Sequence, residues 1–326
     1  MRDKILKMLE DADGFVSGQE LCEKLGVSRT AVWKVIGALR EEGYVIDSVS
    51  RRGYHLVECP DILRQEDLTA ALTTRWMGRS LQVYDVTDST NVRAKQQAEE
   101  GAPEGHLVMA DMQSAGRGSR GRSWDSPRGT GIFMSLVLRP QLMPQQAAMV
   151  TLTAAYSIVS VLREDYGVAA GIKWPNDVVL NRKKLVGILT EMSAEPDLIH
   201  YIVTGIGINV NMKEFPEELS DKATSLWMET GKIYSRAELA ARILNRLEPV
   251  YETYVRTGDL AFLQDSYNEL LINRGQEVRV IGREAEFSGI AEGIGADGGL
   301  KIRREDGQVQ TVYSGEVSVR GLYSYV

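Results

Sequence analysis

Cysteine and histidine are scarce in this 326-residue sequence, and their scarcity excludes several kinds of chemistry at once. The two cysteines, Cys22 and Cys59, lie far apart and form no C-x-x-C or Cys/His cluster, so neither a disulfide framework nor a zinc site is expected. His55, His106 and His200 are scattered, belong to no Ser/His/Asp or Cys/His set, and read as structural or solvated. No stretch approaches ~18 uninterrupted apolar residues. Charged Arg2, Asp3 and Lys4 open an amphipathic pattern instead of a signal peptide's apolar block, which predicts a cytoplasmic protein with no membrane partner. Positive charge is not in excess either: a net charge of −7 argues against coating nucleic acid throughout and confines any DNA contact to a local surface.

What is present is an ordinary globular balance, 43% apolar and 25% charged. Single cores stop growing near ~250 residues, so more than one domain is expected. Ile5, Leu6, Leu9 and Phe15 start an apolar helical face that Leu21 and Leu25 continue. Gly26 breaks it, and Ser28 N-caps a third segment in which Ala31, Val32, Val35, Leu39 and Tyr44 recur at helical spacing, with Gly43 closing it. Two short strand-like runs, Tyr44-Val45-Ile46 and Tyr54-His55-Leu56-Val57, flank a polar turn with Arg51, Arg52 and Gly53. Three helices and a hairpin predict a winged helix-turn-helix. Its third helix would enter the major groove with Ser28, Arg29, Thr30 and Lys34, while Arg51 and Arg52 grip phosphates from the wing. A helical docking domain with solvated arginines is the alternative. Trp33, beside Val32, is taken as core.

Around Pro60 the periodicity lapses, as in a linker. Beyond it, strand-like runs at Leu107 to Ala110, Ile132 to Leu138, Ile172 to Trp174, Val178 to Leu180, Leu185 to Leu189 and Tyr201 to Ile208 predict a mixed sheet. Helical patterns at Gln145 to Tyr166 and Arg236 to Val255 would cover one face of it. After Arg274 the runs shorten and are punctuated by Ala296-Asp297-Gly298-Gly299 and Glu305-Asp306-Gly307-Gln308, which predicts a small β-barrel.

The most informative segment runs from Gln113 to Trp124 and packs Gly116, Gly118 and Gly121 beside Arg117, Arg120 and Arg122. Glycines let backbone N–H groups turn inward as an anion nest, and guanidiniums add bidentate contacts to phosphate or carboxylate. The same composition also serves solvated linkers and RNA-binding segments. Its company narrows the choice: Asp88-Ser89-Thr90-Asn91, Lys173-Trp174-Pro175-Asn176-Asp177, Lys183-Lys184-Leu185-Val186-Gly187-Ile188-Leu189, and Gly205-Ile206-Gly207-Ile208-Asn209.

At these residues, in order and spacing and along the whole chain, the sequence resembles the biotin-protein ligases, specifically the bifunctional BirA class that doubles as biotin operon repressor. The resemblance and the patterning together imply an α+β multidomain protein. A winged helix-turn-helix would span residues 1–60 and a linker 61–66, followed by a biotin/ATP-binding catalytic domain at 67–273 and an SH3-like β-barrel at 274–326. The catalytic domain would be a mixed sheet with helices of the class II synthetase type.

The resemblance implies a biotin site of Ser89, Thr90, Asn91, Gln113, Arg117, Gly118, Ser119, Lys184, Gly187, Gly205 and Gly207. Hydroxyls of Ser89 and Thr90 and the amide of Gln113 suit a ureido ring, and Gly205 and Gly207 let a flat bicycle approach. Lys184 and Arg117 would be catalytic, stabilising charge as biotin's carboxylate attacks ATP. Arg120, Arg122, Trp124, Lys173, Asn176, Asp177 and Asn209 would face the nucleotide, with Asp177 a tentative Mg²⁺ ligand. Trp124 and Trp174 also suit core positions, Asn176 a turn, and Lys173 an ion pair.

ATP and biotin would be substrates, with Mg²⁺ and no permanently bound cofactor. The implied partners are a biotin carboxyl carrier protein domain, operator DNA of biotin genes, and a second copy of the chain when biotinyl-adenylate is bound. One departure stands out: the family's loop reads G-R-G-R-x-G-R, and Ser119 replaces its second arginine, which puts adenylate retention in question. A repressor with a weakened ligase site, a ligase that no longer binds DNA, and a lipoate-protein ligase remain as alternative readings.

Overall fold

The helical spacing of the first forty residues produces α1 (Arg2–Glu10), α2 (Gly18–Leu25) and α3 (Arg29–Glu41), which close a small core from Ile5, Leu6, Leu9, Leu21, Val32, Val35, Ile36 and Leu39. Ser17 Oγ accepts the Glu20 N–H at 3.1 Å to start α2, and Gly26, at φ 66°, ends it. Ser28 Oγ accepts the Ala31 N–H at 3.2 Å, the expected cap of α3. The antiparallel hairpin β1 (Val45–Val49) and β2 (Gly53–Glu58) follows, and Val16 bridges to Tyr54 at its edge. This is a winged helix-turn-helix, within a compact unit of residues Met1–Ile62. The computed structural model describes residues 1–41, 43–58, 61–282, 286–314 and 318–321; Cys59 and Pro60 lie outside the described residues.

Trp33 overturns the expectation of a core position: it is 66% exposed. The buried stripe of α3 runs through Val32, Val35, Ile36 and Leu39. Each helical residue turns by ~100°, so the indole next to Val32 leaves that stripe.

The second unit, Leu63–Val326, is described by itself. It opens with α4 (Gln65–Ala71), and Leu63 is already buried in its core, so the expected linker at 61–66 overlaps packed structure. There follow β3 (Leu81–Thr87), α5 (Thr90–Glu99), β4 (Leu107–Gln113), β5 (Gly131–Leu138), α6 (Ala148–Glu164), β6 (Gly171–Lys173), β7 (Asp177–Leu180), β8 (Lys183–Glu195) and β9 (Leu198–Asn209). The strands form one seven-stranded sheet in the order β3-β4-β5-β9-β8-β7-β6. Only β3 and β4 run parallel, which makes it the expected mixed sheet.

Short helices α7 (Glu217–Ser220) and α8 (Leu226–Thr230) lead to α9 (Arg236–Thr257) and α10 (Gln264–Leu270). α6 is apolar almost all round and is clamped between sheet and α9. By length and composition Pro144–Glu164 could cross a membrane, but 78% of its apolar window is buried in the fold. On the other sheet face α5 packs Ala94 and Ala98 against Val108, Val137 and Val203.

The C-terminal strands β10 (Glu277–Ile281), β11 (Glu286–Ile294), β12 (Leu300–Arg303), β13 (Val309–Val312) and β14 (Ser318–Gly321) form a five-stranded antiparallel sheet in the order β13-β12-β11-β10-β14. Both expected turns are Asx turns: Asp297 Oδ1 accepts the Gly299 N–H at 3.1 Å, and Asp306 Oδ1 accepts the Gln308 N–H at 2.9 Å. The core of this sheet is continuous with the central one. Trp174, 1% exposed, donates its indole N–H to Gly298 O at 3.2 Å and so ties the Lys173–Asp177 run to the C-terminal turn.

Gly53 combines φ 107° with a neighbour that leaves no room, since a Cβ there would stand 2.1 Å from the Val16 carbonyl oxygen. Gly53→Ala should therefore cost the first unit roughly 1–3 kcal/mol. Hydrogen exchange of the bonded Val16 and Tyr54 amides, faster by about tenfold or more, is the check.

Candidate functional site

At the centre of the seven-stranded sheet, β8 and β9 bring three glycines, Gly187, Gly205 and Gly207, together on one face. Gly187 pairs with Gly207 and Leu189 with Gly205, while β5 sets Phe133 and Ser135 beside the same two glycines. Period-two alternation puts all of these on the face that carries α5. A pocket opens over this floor, bounded by the start of α5, the end of β4, the glycine/arginine loop and the start of β8.

Two of the chain's own side chains use the room the glycines leave. A Cβ on Gly205 would stand 1.9 Å from Asn91 Oδ1, and one on Gly207 would stand 2.7 Å from the Trp124 indole. A Cβ on Gly187 would meet the same indole at 2.7 Å. Only about 40 Å³ remains free. A site for a ligand of biotin's size needs roughly 300 Å³ or more, so this pocket must widen to take one.

The polar wall is a connected network. Gln113 Oε1 accepts the Thr90 N–H at 2.8 Å and its hydroxyl at 3.1 Å, while Gln113 Nε2 donates to Ser126 Oγ at 2.8 Å. Ser135 Oγ donates to Asn91 Oδ1 at 2.6 Å, and Asn91 Nδ2 donates to Glu191 at 2.9 Å. Lys95 pairs with the other Glu191 oxygen. Burial pushes the Glu191 carboxyl up, but hydrogen bonds from Lys95 and Asn91 and the charges of Lys95 and Arg117 outweigh it and hold it below the ordinary glutamate range. Ser89 occupies the cap position of α5 without a side-chain cap bond, so its hydroxyl is not committed to the helix.

The charged wall centres on Lys184. Its backbone is clamped by Lys222 and Thr224, at 2.7 and 2.9 Å. Its ammonium lies 2.6 Å from Asp177 Oδ1 and 5.2 Å from the centroid of the Trp124 ring. The loop before Trp124 is a tight hairpin: Gly118 N–H bonds Arg122 O at 2.7 Å and Trp124 N–H bonds Gly116 O at 2.9 Å. Gly116 is required there, because a Cβ would stand 2.3 Å from Trp124 O. Arg122 turns back onto Ser119, donating to its carbonyl at 3.2 Å and its hydroxyl at 3.1 Å.

All eleven residues expected to hold biotin line this one pocket. The expected nucleotide set divides. Trp124 and Asn176 line the pocket and Asp177 reaches it through Lys184. Arg122 is exposed on the loop, whereas Lys173 is 6% exposed and Asn209, 3% exposed, donates to Thr224 O at 3.0 Å. The Arg120 side chain lies outside the described residues. Asn176 also fixes a turn, exchanging bonds with Ile188 at 2.9 and 3.0 Å. Phe133 and Leu189 in the lining, and Glu191, Ser126 and Ser135 behind it, were missed by the sequence reading; strand alternation from Gly205 and Gly207 was the signal that could have found them.

Among the described residues no group of three or more His, Cys, Asp or Glu side chains could hold a metal ion. Asp177 offers one carboxylate, engaged with Lys184, and one carboxylate beside substrate phosphates fits the usual way Mg²⁺ is held. The three histidines serve elsewhere: His55 packs on Phe15, His106 bonds Ser80 and Gln97, and His200 pairs with Glu195.

In the first unit, Ser28, Arg29, Thr30, Lys34, Arg51 and Arg52 are all exposed. Ser28 is spent as the cap of α3. Arg29 and Arg51 line one groove between α2, α3 and the wing, and the Arg52 guanidinium lies 4.5 Å above the Phe15 ring.

Gly205→Ala should evict the Asn91 amide and strand Ser135 and Glu191. Two buried groups losing partners should cost about 2–4 kcal/mol, measurable as a lowered denaturation midpoint of the second unit.

Comparison with known proteins matches these geometries to relatives. The Biotin/lipoate A/B protein ligase family matches residues 83–209, an HTH domain residues 2–55, and the Biotin protein ligase C terminal domain residues 275–320. The chain is 40% identical to the bifunctional ligase/repressor BirA of Bacillus subtilis across 98% of both chains. It is 33% identical to that of Escherichia coli across 97% of this chain and 96% of the relative. A biotin protein ligase from Aquifex aeolicus, solved in complex with biotin and ATP, superposes with a TM-score of 0.66 at 30% identity, over 74% of this chain and 99% of that one. Similarity of this extent, spanning both units, means that the chain belongs to the bifunctional ligase/repressor family of biotin protein ligases.

Proposed function

We propose that this chain activates biotin with ATP, transfers it to a lysine of a biotin carboxyl carrier domain, and represses biotin genes through its winged unit. The observation that carries the ligase half is the single pocket in which a hydrogen-bonding wall of Ser89, Thr90 and Gln113 meets a charged wall of Lys184 and Arg117. The first wall suits the donors and acceptors of a ureido ring, the second a carboxylate and phosphates.

In the first half-reaction a biotin carboxylate oxygen bonds the α-phosphorus of ATP while the bond from that phosphorus to the bridging oxygen breaks and pyrophosphate leaves. Negative charge grows on the phosphoryl oxygens. Lys184 and Arg117 stabilise it best in a site from which water is excluded. Asp177, 2.6 Å from the Lys184 ammonium, orients it until the phosphates arrive. In the second half-reaction the neutral ε-amine of the carrier lysine attacks the acyl carbon, the bond to AMP breaks, and the amine gives up its proton. Asp177 would help hold the Mg²⁺ that accompanies ATP, and that ion would neutralise charge on the departing pyrophosphate.

Of the remaining nucleotide residues, Trp124, Asn176 and the loop arginines Arg120 and Arg122 are those we assign to ATP. Lys173 and Asn209 act from behind the site. Ser119, occupied by Arg122, leaves that guanidinium available to turn toward the adenylate on binding. We divide the chain as a winged domain at 1–60, a catalytic domain from about residue 67 and a C-terminal barrel from 274, working in the cytoplasm. Biotinyl-adenylate then serves as corepressor: by binding the homodimer more tightly than the monomer it shifts association, and transfer to the carrier removes it.

Lys184→Ala should lower ATP-dependent labelling of a purified carrier domain by about 10²- to 10³-fold, scored with radiolabelled biotin and an ATP-free control. Unchanged labelling would remove Lys184 from catalysis, and no labelling by wild type would favour the repressor with a weakened ligase site. Replacing both Arg51 and Arg52 with alanine should weaken operator binding and reduce the slope of log affinity against log salt by about one to two, as read by fluorescence anisotropy; an unaltered slope takes the wing off the DNA.

A further inference from the structure

Among the described residues no large apolar side chain is more exposed than Trp33, at 66%. It does not stand alone on its helix. Thr30, Trp33, Lys34 and Gly37 follow at i, i+3, i+4 and i+7, so they share one stripe of α3, on the side away from Val32, Val35, Ile36 and Leu39. A Cβ on Gly37 would touch nothing within 4 Å, which leaves the surface shallow one turn beyond the indole. Exposed Arg29 stands one turn before Trp33 and lines a groove with Arg51 of the wing. An indole framed by cations fits a polyanion that also offers an apolar contact.

Residues 1–62 hold nine Lys and Arg against eleven Asp and Glu. A unit with so little positive charge gains little from phosphate neutralisation, the sequence-independent part of DNA affinity. More of its binding must come from base edges. In the major groove the only apolar group a base pair presents is the thymine C5-methyl. We propose that Trp33 is a sequence-reading residue of α3, packing its indole against thymine methyl groups, while Lys34 and Arg29 hold the flanking backbone. This rests on the repressor reading above and adds a specificity determinant to it.

The test uses the full-length chain with biotin and Mg²⁺-ATP. Duplexes are first selected from a random-sequence pool by the wild type; each thymidine in the selected duplex is then replaced by deoxyuridine, which removes only the methyl. Wild type should bind roughly five- to tenfold more weakly at one or two positions of each half-site. Trp33→Ala should bind the unmodified duplex about tenfold more weakly, lose its response to those same replacements, and keep the wild-type salt slope. Its melting temperature should be unchanged, because the side chain is outside the core.

Trp33→Ala that still responds to methyl removal overturns the inference while leaving the repressor reading intact. A change in self-association without DNA would also overturn it by assigning the indole to a contact between copies. A wild type that selects no sequence defeats the repressor reading and this inference together.

Discussion

The pairing of Gly187 with Gly207 in the middle of the sheet is the constraint on which the site depends. Central strands normally fill both faces with side chains. Here the glycines of β8 and β9 leave part of one face open, and a helix start, a loop and a strand end converge over it. Asn91 reaches over Gly205 and Trp124 over Gly207 and Gly187. Each uses space that a single methyl group would close.

Around that floor the chain keeps its polar groups in different conditions for different purposes. The buried layer is one connected network: Ser126, Gln113 and Thr90 are joined through Ser135 to Asn91, Glu191 and Lys95. Such layers fix rotamers and orient the groups in front of them. The front layer is held more loosely, with Lys184 resting between Asp177 and an aromatic face and Arg122 folded onto Ser119. The charges of the site are thus positioned by neighbours in the fold.

The winged unit is governed by a different balance. Its core is a small cluster of mostly aliphatic side chains from three helices and the hairpin, and its shape depends on local devices such as the Ser17 and Ser28 caps and the glycine at position 53. With more acidic than basic residues it is not built as a general DNA-coating surface, and its cations are concentrated on α3 and the wing.

The amino-acid sequence alone determined the classes of structure and the family. Strand-like runs marked the six sheet strands named from them, helical spacing marked α3, α6 and α9, Asp-Gly pairs marked the C-terminal turns, and the ordered motifs named residues that line one pocket. These features are local, because periodicity, caps and turns are set by residues within a few positions of each other. The tertiary structure decided what each face meets. Whether Trp33 pointed in or out turned on which α3 stripe the other helices covered. The partners of Gly205, Lys184 and Glu191 were fixed by sheet register and by contacts such as Asn91 to Glu191, across 100 residues of chain. Register joins segments that carry no mark of one another in sequence, so the site's residues could be named in advance but not their mutual engagement.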